Sequence, residues 1–213
     1  MAISEFGPQG LIRGRLGALC FYVRDGKQLV RKRGKMTKPP TEAQLKVRKQ
    51  LAVVVVFLKP LLSIIKVGFL LKAKEKGSIP YSMAVQYNRN NAVSGEYPDI
   101  YIDYSKVRLT AKTGRIYGPG SPGVSLVSAG LKFTWNAEED RGWSGGSDQL
   151  MMVVYFPESK SVAYCLYGAK RSAGEDVLPL TETQLTTRME VYVSCVSADR
   201  KAIADSMYLG RLN

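Results

Sequence analysis

The sequence predicts an α+β protein in which a basic β-hairpin and a helical region precede a C-terminal antiparallel β-sandwich. Three observations support this prediction: an Asp25-Gly26 turn between two alternating runs, a long apolar run with helical spacing from Thr41 to Leu71, and a series of short strand-like segments after Val124. At 213 residues the chain is long enough for one large domain or two small ones with a buried core.

Positive charge is concentrated in the first third of the chain. The sequence contains 31 Lys and Arg against 18 Asp and Glu, a formal net charge of +13. Residues 1–76 hold 17 of the basic and 4 of the acidic side chains, so they account for the whole excess, and residues 77–213 are balanced. Such an asymmetry indicates one region suited to an anionic partner and not a uniformly basic surface.

The first predicted element is a β-hairpin. Its strands, at 18–24 and 27–33, are joined by the dipeptide Asp25-Gly26, whose residues tolerate the positive φ that a type I′ turn demands. A two-residue turn sets the register, so Phe21 is expected to face Val30. One face of the hairpin is then apolar and its rim is basic.

The run from Thr41 to Leu71 predicts two helical segments, roughly 42–59 and 60–72. Pro60 has no amide proton and its ring crowds the preceding turn, so a kink or break is expected just before it. Apolar side chains recur at steps of three and four residues, which places them on one helical face. The residues of this predicted core face are Leu51, Val55, Leu58, Leu62, Ile65 and Phe69.

A membrane span is not expected for the same run. Its length suffices to cross a bilayer, but Lys59 and Lys66 would lie in the hydrocarbon, at a cost of about 2.5 to 3.5 kcal/mol each near the centre. The N-terminal residues lack a continuous apolar segment before a small-residue cleavage site. We therefore expect a cytoplasmic protein, or one exported by another route.

The middle of the chain predicts a further helix and a boundary. Residues 81–93 have helical spacing, and residues 100–104 and 107–110 are typical of short strands. The Gly- and Pro-rich segment 118–123 has the composition of a linker. We therefore predict an N-terminal region at 1–117 and a sandwich domain at 124–213.

Strand candidates follow one another through the last part of the chain at the spacing of a β-sandwich. Seven of them in about 90 residues, with Trp135 early and Tyr192 late, resemble a fibronectin type III or immunoglobulin-like sandwich. In the sixth candidate apolar and polar side chains alternate, as in a strand with one buried face. The candidates are 124–127, 131–135, 149–156, 161–166, 177–180, 189–196 and 206–209.

The composition argues against several kinds of site. There is no histidine, which excludes histidine acid-base catalysis, Ser-His or Cys-His nucleophiles and histidine metal ligands. Cys20, Cys165 and Cys195 are far apart and form no CxxC pair, so neither a zinc site nor a disulfide framework is indicated. We expect no metal and no cofactor.

The remaining catalytic candidate is the acidic loop at 136–147. Glu138, Glu139 and Asp140, with Asp148 just beyond them, offer carboxylates for acid-base work or for a hard cation. Three consecutive acids point in different directions, however, and their spacing matches no EF-hand or glycosidase arrangement. A solvated loop in a protein without enzymatic activity is the better interpretation.

Glycines, aromatic residues and polar residues form a pattern that extends over nearly the whole chain. Its members are Gly10, Gly14, Gly17, Gly26, Lys27, Arg31, Pro40, Thr41, Ala43, Gln44, Arg48, Asn88, Asn91, Ala92, Gly95, Tyr97, Pro98, Phe133, Thr134, Trp135, Asp148, Tyr155, Arg171, Tyr208, Leu209 and Gly210. The pattern resembles a family of uncharacterised Bacteroidota proteins of about this length, known only as a domain of unknown function. The resemblance implies no activity, because none is established for that family.

The basic N-terminal residues are the predicted functional site. Basic side chains interleaved with aromatic ones can follow a phosphate backbone and release counterions on binding, although no helix-turn-helix, zinc-finger or ribonucleoprotein signature supports sequence readout. We expect a nucleic-acid backbone or an acidic protein surface as the partner. The expected binding residues are Arg13, Arg15, Tyr22, Arg24, Lys27, Arg31, Lys32, Arg33, Lys46 and Lys49.

Two alternatives remain open at this point. The chain is a candidate for a structural subunit that forms a homo-oligomer, in which the basic part of one copy meets the acidic loop of the next, as in a surface fibre, a virion-like particle or a scaffold. The basic residues also have a simpler explanation, in which they only solvate a small hairpin.

Overall fold

The computed structural model describes the backbone of residues 2–4 and all of residues 10–35, 38–137 and 145–213. Two compact units divide the chain, Met1–Glu42 and Ala43–Asn213. Helices lie mostly in the middle of the chain and strands mostly after them. The protein therefore has the predicted α+β class.

The first unit is an antiparallel sheet whose strands lie in chain order. The turn between the last two strands has φ of 52° at Asp25 and 73° at Gly26, the two positive values that type I′ requires. Phe21 pairs with Val30, as predicted from the turn. The strands are β1 (Ala2–Ser4), β2 (Ile12–Leu16), β3 (Leu19–Arg24) and β4 (Lys27–Lys32).

The helices of the second unit follow, and the predicted break at Pro60 is confirmed. The first two helices meet at a bend of 93°. The predicted segment 60–72 is divided once more, at Phe69. The helices are α1 (Glu42–Leu58), α2 (Leu62–Gly68), α3 (Leu70–Glu75) and α4 (Pro80–Asn91).

Membrane-span criteria give a mixed result for these helices. No single helix in the described part of the chain is long and apolar enough to cross a bilayer, whereas the bent pair α1 and α2, taken together, satisfies the test by length and composition.

The predicted core face is only half correct: Leu58, Ile65 and Phe69 are buried, whereas Leu51, Val55 and Leu62 are exposed. Leu51 and Val55 remain 42% and 37% exposed, and the buried side chains of α1 are Val54, Phe57 and Leu58. Because residues 51–58 are almost entirely apolar, several faces satisfy the helical period equally well. Packing against the sheet selects the face that contains Phe57.

Between α4 and the sandwich, one of the two predicted strands is confirmed in part: β6 (Tyr101–Ile102) lies within the predicted segment 100–104. β5 (Val93–Ser94) pairs with β6. The predicted strand at 107–110 is absent: the backbone N–H and C=O of Arg108 bond to the side chain of Asn88, and the N–H of Leu109 bonds to Ser206. Side chains therefore take the hydrogen bonds that a neighbouring strand would have made.

The C-terminal strands form two antiparallel sheets. One has the order β11-β8-β7, and the other has the order β10-β9-β12-β13. A short helix, α5 (Glu182–Leu185), connects β11 to β12. The strands are β7 (Gly120–Val127), β8 (Gly130–Asn136), β9 (Gln149–Phe156), β10 (Ser161–Cys165), β11 (Glu175–Pro179), β12 (Met189–Val196) and β13 (Met207–Leu212).

The segment 118–123, predicted to be a linker, runs into the first of these strands. β7 begins at Gly120, and its pairing with β8 is irregular between Gly120 and Gly123. The Gly and Pro residues of this segment therefore lie at the start of a strand that contains a β-bulge. Gly and Pro are common at bulges as well as in linkers. The division between the two units falls after Glu42 instead.

The larger sheet is the middle layer of the second unit. Along β12 alternate side chains, including Val191 and Val193, share one core with the smaller sheet. The side chains between them, including Tyr192, share another core with α1, α2 and α4. All eight residues of β12 are buried as a result, so the prediction of a strand with one buried face is wrong there.

Candidate nucleic-acid interface

The register of the N-terminal sheet gathers most of the predicted basic residues on one side. Arg15 lies opposite Cys20, which lies opposite Arg31, so these three side chains share a face. Side chains two residues apart on a strand also share a face. We call this side the basic face; its cationic members are Arg13, Arg15, Arg24, Lys27 and Arg31, all exposed.

Tyr22 stands among these cations. Its side chain is 39% exposed, and the guanidinium carbon of Arg31 lies 5.8 Å from the centre of its ring. This distance permits a cation–π contact. Asp25 approaches Arg24 to 3.6 Å, but both side chains are highly exposed, so the pair neutralises little of the local potential.

A side-chain amide holds the three strands together from the other side of the sheet. Gln28, opposite Val23, reaches across β3 and bonds to the backbone of Ile12: its Oε1 accepts from the N–H at 3.1 Å and its Nε2 donates to the C=O at 3.2 Å. The hydrogen bonds fix β2 against the hairpin. The two arginines of β2 are thereby aligned with Arg31 of β4.

Four predicted binding residues are not part of the basic face. Lys32 pairs with Leu19 and lies on the opposite side of the sheet, and Arg33 follows the end of β4, where its N–H bonds to the carbonyl of Ala18 at 2.7 Å. Lys46 and Lys49 are exposed on α1, in the second unit. The structure thus divides the ten predicted residues into a group of six on one sheet face and four elsewhere.

The opposite side of the N-terminal sheet is largely apolar and also exposed. Leu16, Leu19 and Val30 are 64%, 42% and 50% exposed. Among the described residues of Met1–Glu42, none is buried. We call this side the apolar face.

Sequence reasoning missed a charged cluster in the second unit. Glu190, on β12, is fully buried, and its Oε1 accepts from Arg188 Nη2 at 3.1 Å and from Arg211 Nε at 3.0 Å. Its Oε2 accepts from the hydroxyl of Tyr208 at 2.6 Å. The only signal in the sequence is an acid inside an otherwise apolar strand, which alternation explains equally well as an exposed side chain.

Asp148, the acid next to the loop that was predicted to be solvated, lies in a hydrogen-bonded network with Arg171. Asp148 is buried, its backbone carbonyl accepts from the N–H of Arg171 at 2.7 Å, and burial raises the pKa of its carboxyl. Arg171 in turn donates to the carbonyls of Tyr117 and Gly118, and Trp135 Nε1 donates to the carbonyl of Arg171 at 2.6 Å. Residues 138–140 lie outside the described residues.

Within the described ranges no group of three or more His, Cys, Asp or Glu side chains is arranged to hold a metal ion.

A family model matches residues 12–210, nearly the whole chain. The chain belongs to a family of unknown function, DUF6266. The DUF6266 match begins at the first residue of β2 and ends within β13, so the basic face and, apart from Arg211, the Glu190 cluster lie inside it. Searches of curated proteins and of solved structures returned no match. DUF6266 membership assigns no activity, and the function is therefore argued from the residues.

Proposed function

We propose that this DUF6266 protein is a non-catalytic nucleic-acid-binding protein whose basic face contacts the phosphate backbone. The observation that carries the proposal is the register of β2, β3 and β4, which aligns five cationic side chains and Tyr22 on one side of one sheet.

The spacing of these cations suits a polyanion. Side chains on one face repeat about every 7 Å along a strand, and neighbouring strands are about 4.8 Å apart. Four of the five cations are arginines, whose planar guanidinium groups match the geometry of phosphate oxygens and stay charged at all physiological pH values. Tyr22 adds a ring on which a base of a single strand can stack.

The proposal predicts binding without sequence readout. Arginine and lysine side chains contact phosphate oxygens, and such contacts position a protein without reading bases. Affinity should then fall steeply with salt, because each phosphate contact releases counterions.

Arg31 and Lys32 provide a matched test, because they are adjacent in sequence and point to opposite sides of the sheet. Binding of a fluorescein-labelled single-stranded oligonucleotide is measured by anisotropy at several salt concentrations. We expect Arg31→Gln to weaken binding several-fold and to reduce the slope of log K against log salt by about one. Lys32→Gln removes the same charge and should leave both quantities nearly unchanged.

An equal loss of oligonucleotide affinity in Arg31→Gln and Lys32→Gln would show that net charge and not the basic face governs binding. No saturable binding of the wild-type protein at low salt would overturn the proposal itself. A polyglutamate competitor separates the two partner classes: if it displaces the oligonucleotide as well as unlabelled nucleic acid does, an acidic protein surface becomes the better candidate.

The apolar face supports a second candidate function, self-assembly. Exposed apolar surface of this kind marks interaction sites in soluble proteins. Light scattering over a range of protein concentrations measures the molar mass, and we expect Leu16→Asn with Val30→Asn to reduce any mass above the monomer. A constant monomer mass in the wild-type protein would rule this candidate out.

We also infer a fibronectin type III-like sandwich for β7 to β13 and an origin in the Bacteroidota. The first, second and fifth of these strands (β7, β8 and β11) form the smaller sheet, and the other four (β9, β10, β12 and β13) form the larger one. This distribution supports the first inference. The sequence resemblance described above supports the second.

A further inference from the structure

A cavity of about 510 Å³ lies beside the Glu190 cluster. Its walls include the two arginines and the tyrosine that bond to Glu190, together with Tyr101 and Tyr104. Its volume is within the range of small-molecule sites, which combine apolar and aromatic walls with a few charged groups. All residues of the cavity wall belong to the second unit, whereas those of the basic face belong to the first.

The charges on the cavity wall do not cancel. The two guanidinium groups of Arg188 and Arg211 face the single carboxylate of Glu190. The other acid in the wall, Asp103, is already paired with Lys106 at 2.8 Å and accepts hydrogen bonds from Ser105, which together keep the pKa of its carboxyl low. One positive charge therefore remains at the cavity.

The arginines also have unused donors. A guanidinium has five N–H groups, and Glu190 accepts one from each of the two arginines. The Nε of Arg188 is buried and has no hydrogen-bond partner among the described residues. The side chains of Arg188 and Arg211 are still 36% and 54% exposed, so a ligand in the cavity can reach them.

Glu190 holds the guanidinium groups of Arg188 and Arg211 in place through hydrogen bonds. A fully buried carboxylate is costly unless it is hydrogen-bonded and paired, and here both of its oxygens are engaged. One arginine would suffice for that purpose. The second guanidinium on the same oxygen is the feature that a purely structural ion pair does not require.

We propose that this cavity binds a small molecule carrying a carboxylate or phosphate group. Arg188 and Arg211 hold the oxyanion, because guanidinium groups bind such groups through paired hydrogen bonds. The rings of Tyr101 and Tyr104 contact the planar or apolar body of the ligand. Tyr101 is 59% exposed and lies at the open side of the cavity.

The test uses the full-length protein and three probes of similar shape: benzoate, phenyl phosphate and the uncharged benzamide. Isothermal titration calorimetry measures their affinities at probe concentrations up to about 10 mM. We expect saturable binding of one or both anions and none of benzamide. Preference for benzoate or for phenyl phosphate tells a carboxylate ligand from a phosphate ligand.

Three variants locate the site. Arg211→Gln should weaken anion binding about tenfold or more, and Tyr101→Ala, which leaves every bond to Glu190 in place, should weaken it several-fold. Arg89→Gln, which removes an exposed charge from α4 outside the cavity wall, is the matched charge control and should bind the anions as the wild type does. Arg31→Gln tests separately whether the basic face holds the anions. Circular dichroism on each variant verifies that the fold is kept.

Three results would overturn the proposal. The first is an absence of saturable anion binding by the wild type, and the second is equal affinity for benzoate and benzamide. The third is binding that Arg31→Gln removes while folded Tyr101→Ala retains it, because the basic face would then hold the anions.

Discussion

The hydroxyl oxygen of Tyr208 lies 2.6 Å from Oε2 of the fully buried Glu190 and donates a hydrogen bond to it. Burial and this hydrogen bond to a carboxylate together raise the pKa of Tyr208 to about 12. Burial is also the main cause that raises the pKa of Tyr155 to about 12 and the pKa of Tyr192 above its ordinary value. Two buried tyrosines and the half-buried Tyr208 thus stay protonated in the folded protein at pH values where free tyrosines would ionise.

We expect the free energy of unfolding to fall as the pH rises from about 10 to about 12. In that interval the unfolded chain loses phenolic protons, at an ordinary pKa of about 10, while the native protein keeps them. The native state then binds more protons than the unfolded state, so stability decreases with rising pH. Urea unfolding followed by fluorescence at pH 8, 10 and 11 measures the decrease.

The variant Tyr208→Phe is the control for this prediction. At pH 8 it should lower the free energy of unfolding by about 1–3 kcal/mol, because the buried carboxylate loses a donor. Its further loss between pH 10 and 12 should be smaller than that of the wild type. An identical pH profile would show that Tyr208 contributes nothing to the alkaline decrease.

Asn88 is the buried polar residue that replaces a strand partner for the segment after β6. Its amide bonds to both backbone groups of Arg108 at 2.9 Å, and its Nδ2 also donates to the carbonyl of Ala84. We expect Asn88→Ala to reduce the free energy of unfolding by about 2–3 kcal/mol, because the backbone of Arg108 is left without partners. Denaturant titration monitored by circular dichroism gives the value.

Asn91, on the same helix, is the matched comparison. It is exposed and donates only to the carbonyl of Tyr87, four residues earlier. Asn91→Ala should change the free energy of unfolding by less than about 0.5 kcal/mol. Similar losses at both positions would contradict the role given to Asn88.

Phe57 and Leu51 test which face of α1 is in the core. The ring of Phe57 is 3% exposed and packs edge-on against Tyr155, with ring centres 4.9 Å apart. We expect Phe57→Ala to cost about 3–5 kcal/mol and Leu51→Ala about 1 kcal/mol or less, as measured by urea unfolding. A larger loss at Leu51 would restore the face predicted from the sequence.

Local chemistry made much of the fold predictable. The Asp25-Gly26 turn implied both positive φ values and the register of β3 with β4, because only one hairpin geometry suits that dipeptide. Pro60 implied the break after α1, because the cause lies in its own ring and missing proton. The first and last residues of β9 and β12 were also predicted correctly, because runs of strand-forming residues mark both strands in the sequence.

Predictions that depended on neighbours were less accurate. Leu51 and Val55 have the right period for a core face, yet period alone does not choose among apolar faces of one helix. The alternation in β12 looked like a half-exposed strand, but further segments pack on its second face, so Glu190 and Tyr192 are buried there. The candidate site divides in the same way: basic composition named its residues, but cross-strand register separated Arg31 from Lys32.

Most of the elements, the charge asymmetry and the turn that aligns the hairpin can be predicted from the sequence, because they follow from the preferences of single residues and their close neighbours. The tertiary structure determined which helix face is buried, why an acid sits inside β12, and which cations share one surface. These outcomes depend on contacts between segments far apart in the chain, such as Glu190 with Tyr208 and Arg211, and the free energy of such contacts exists only once the layers are packed.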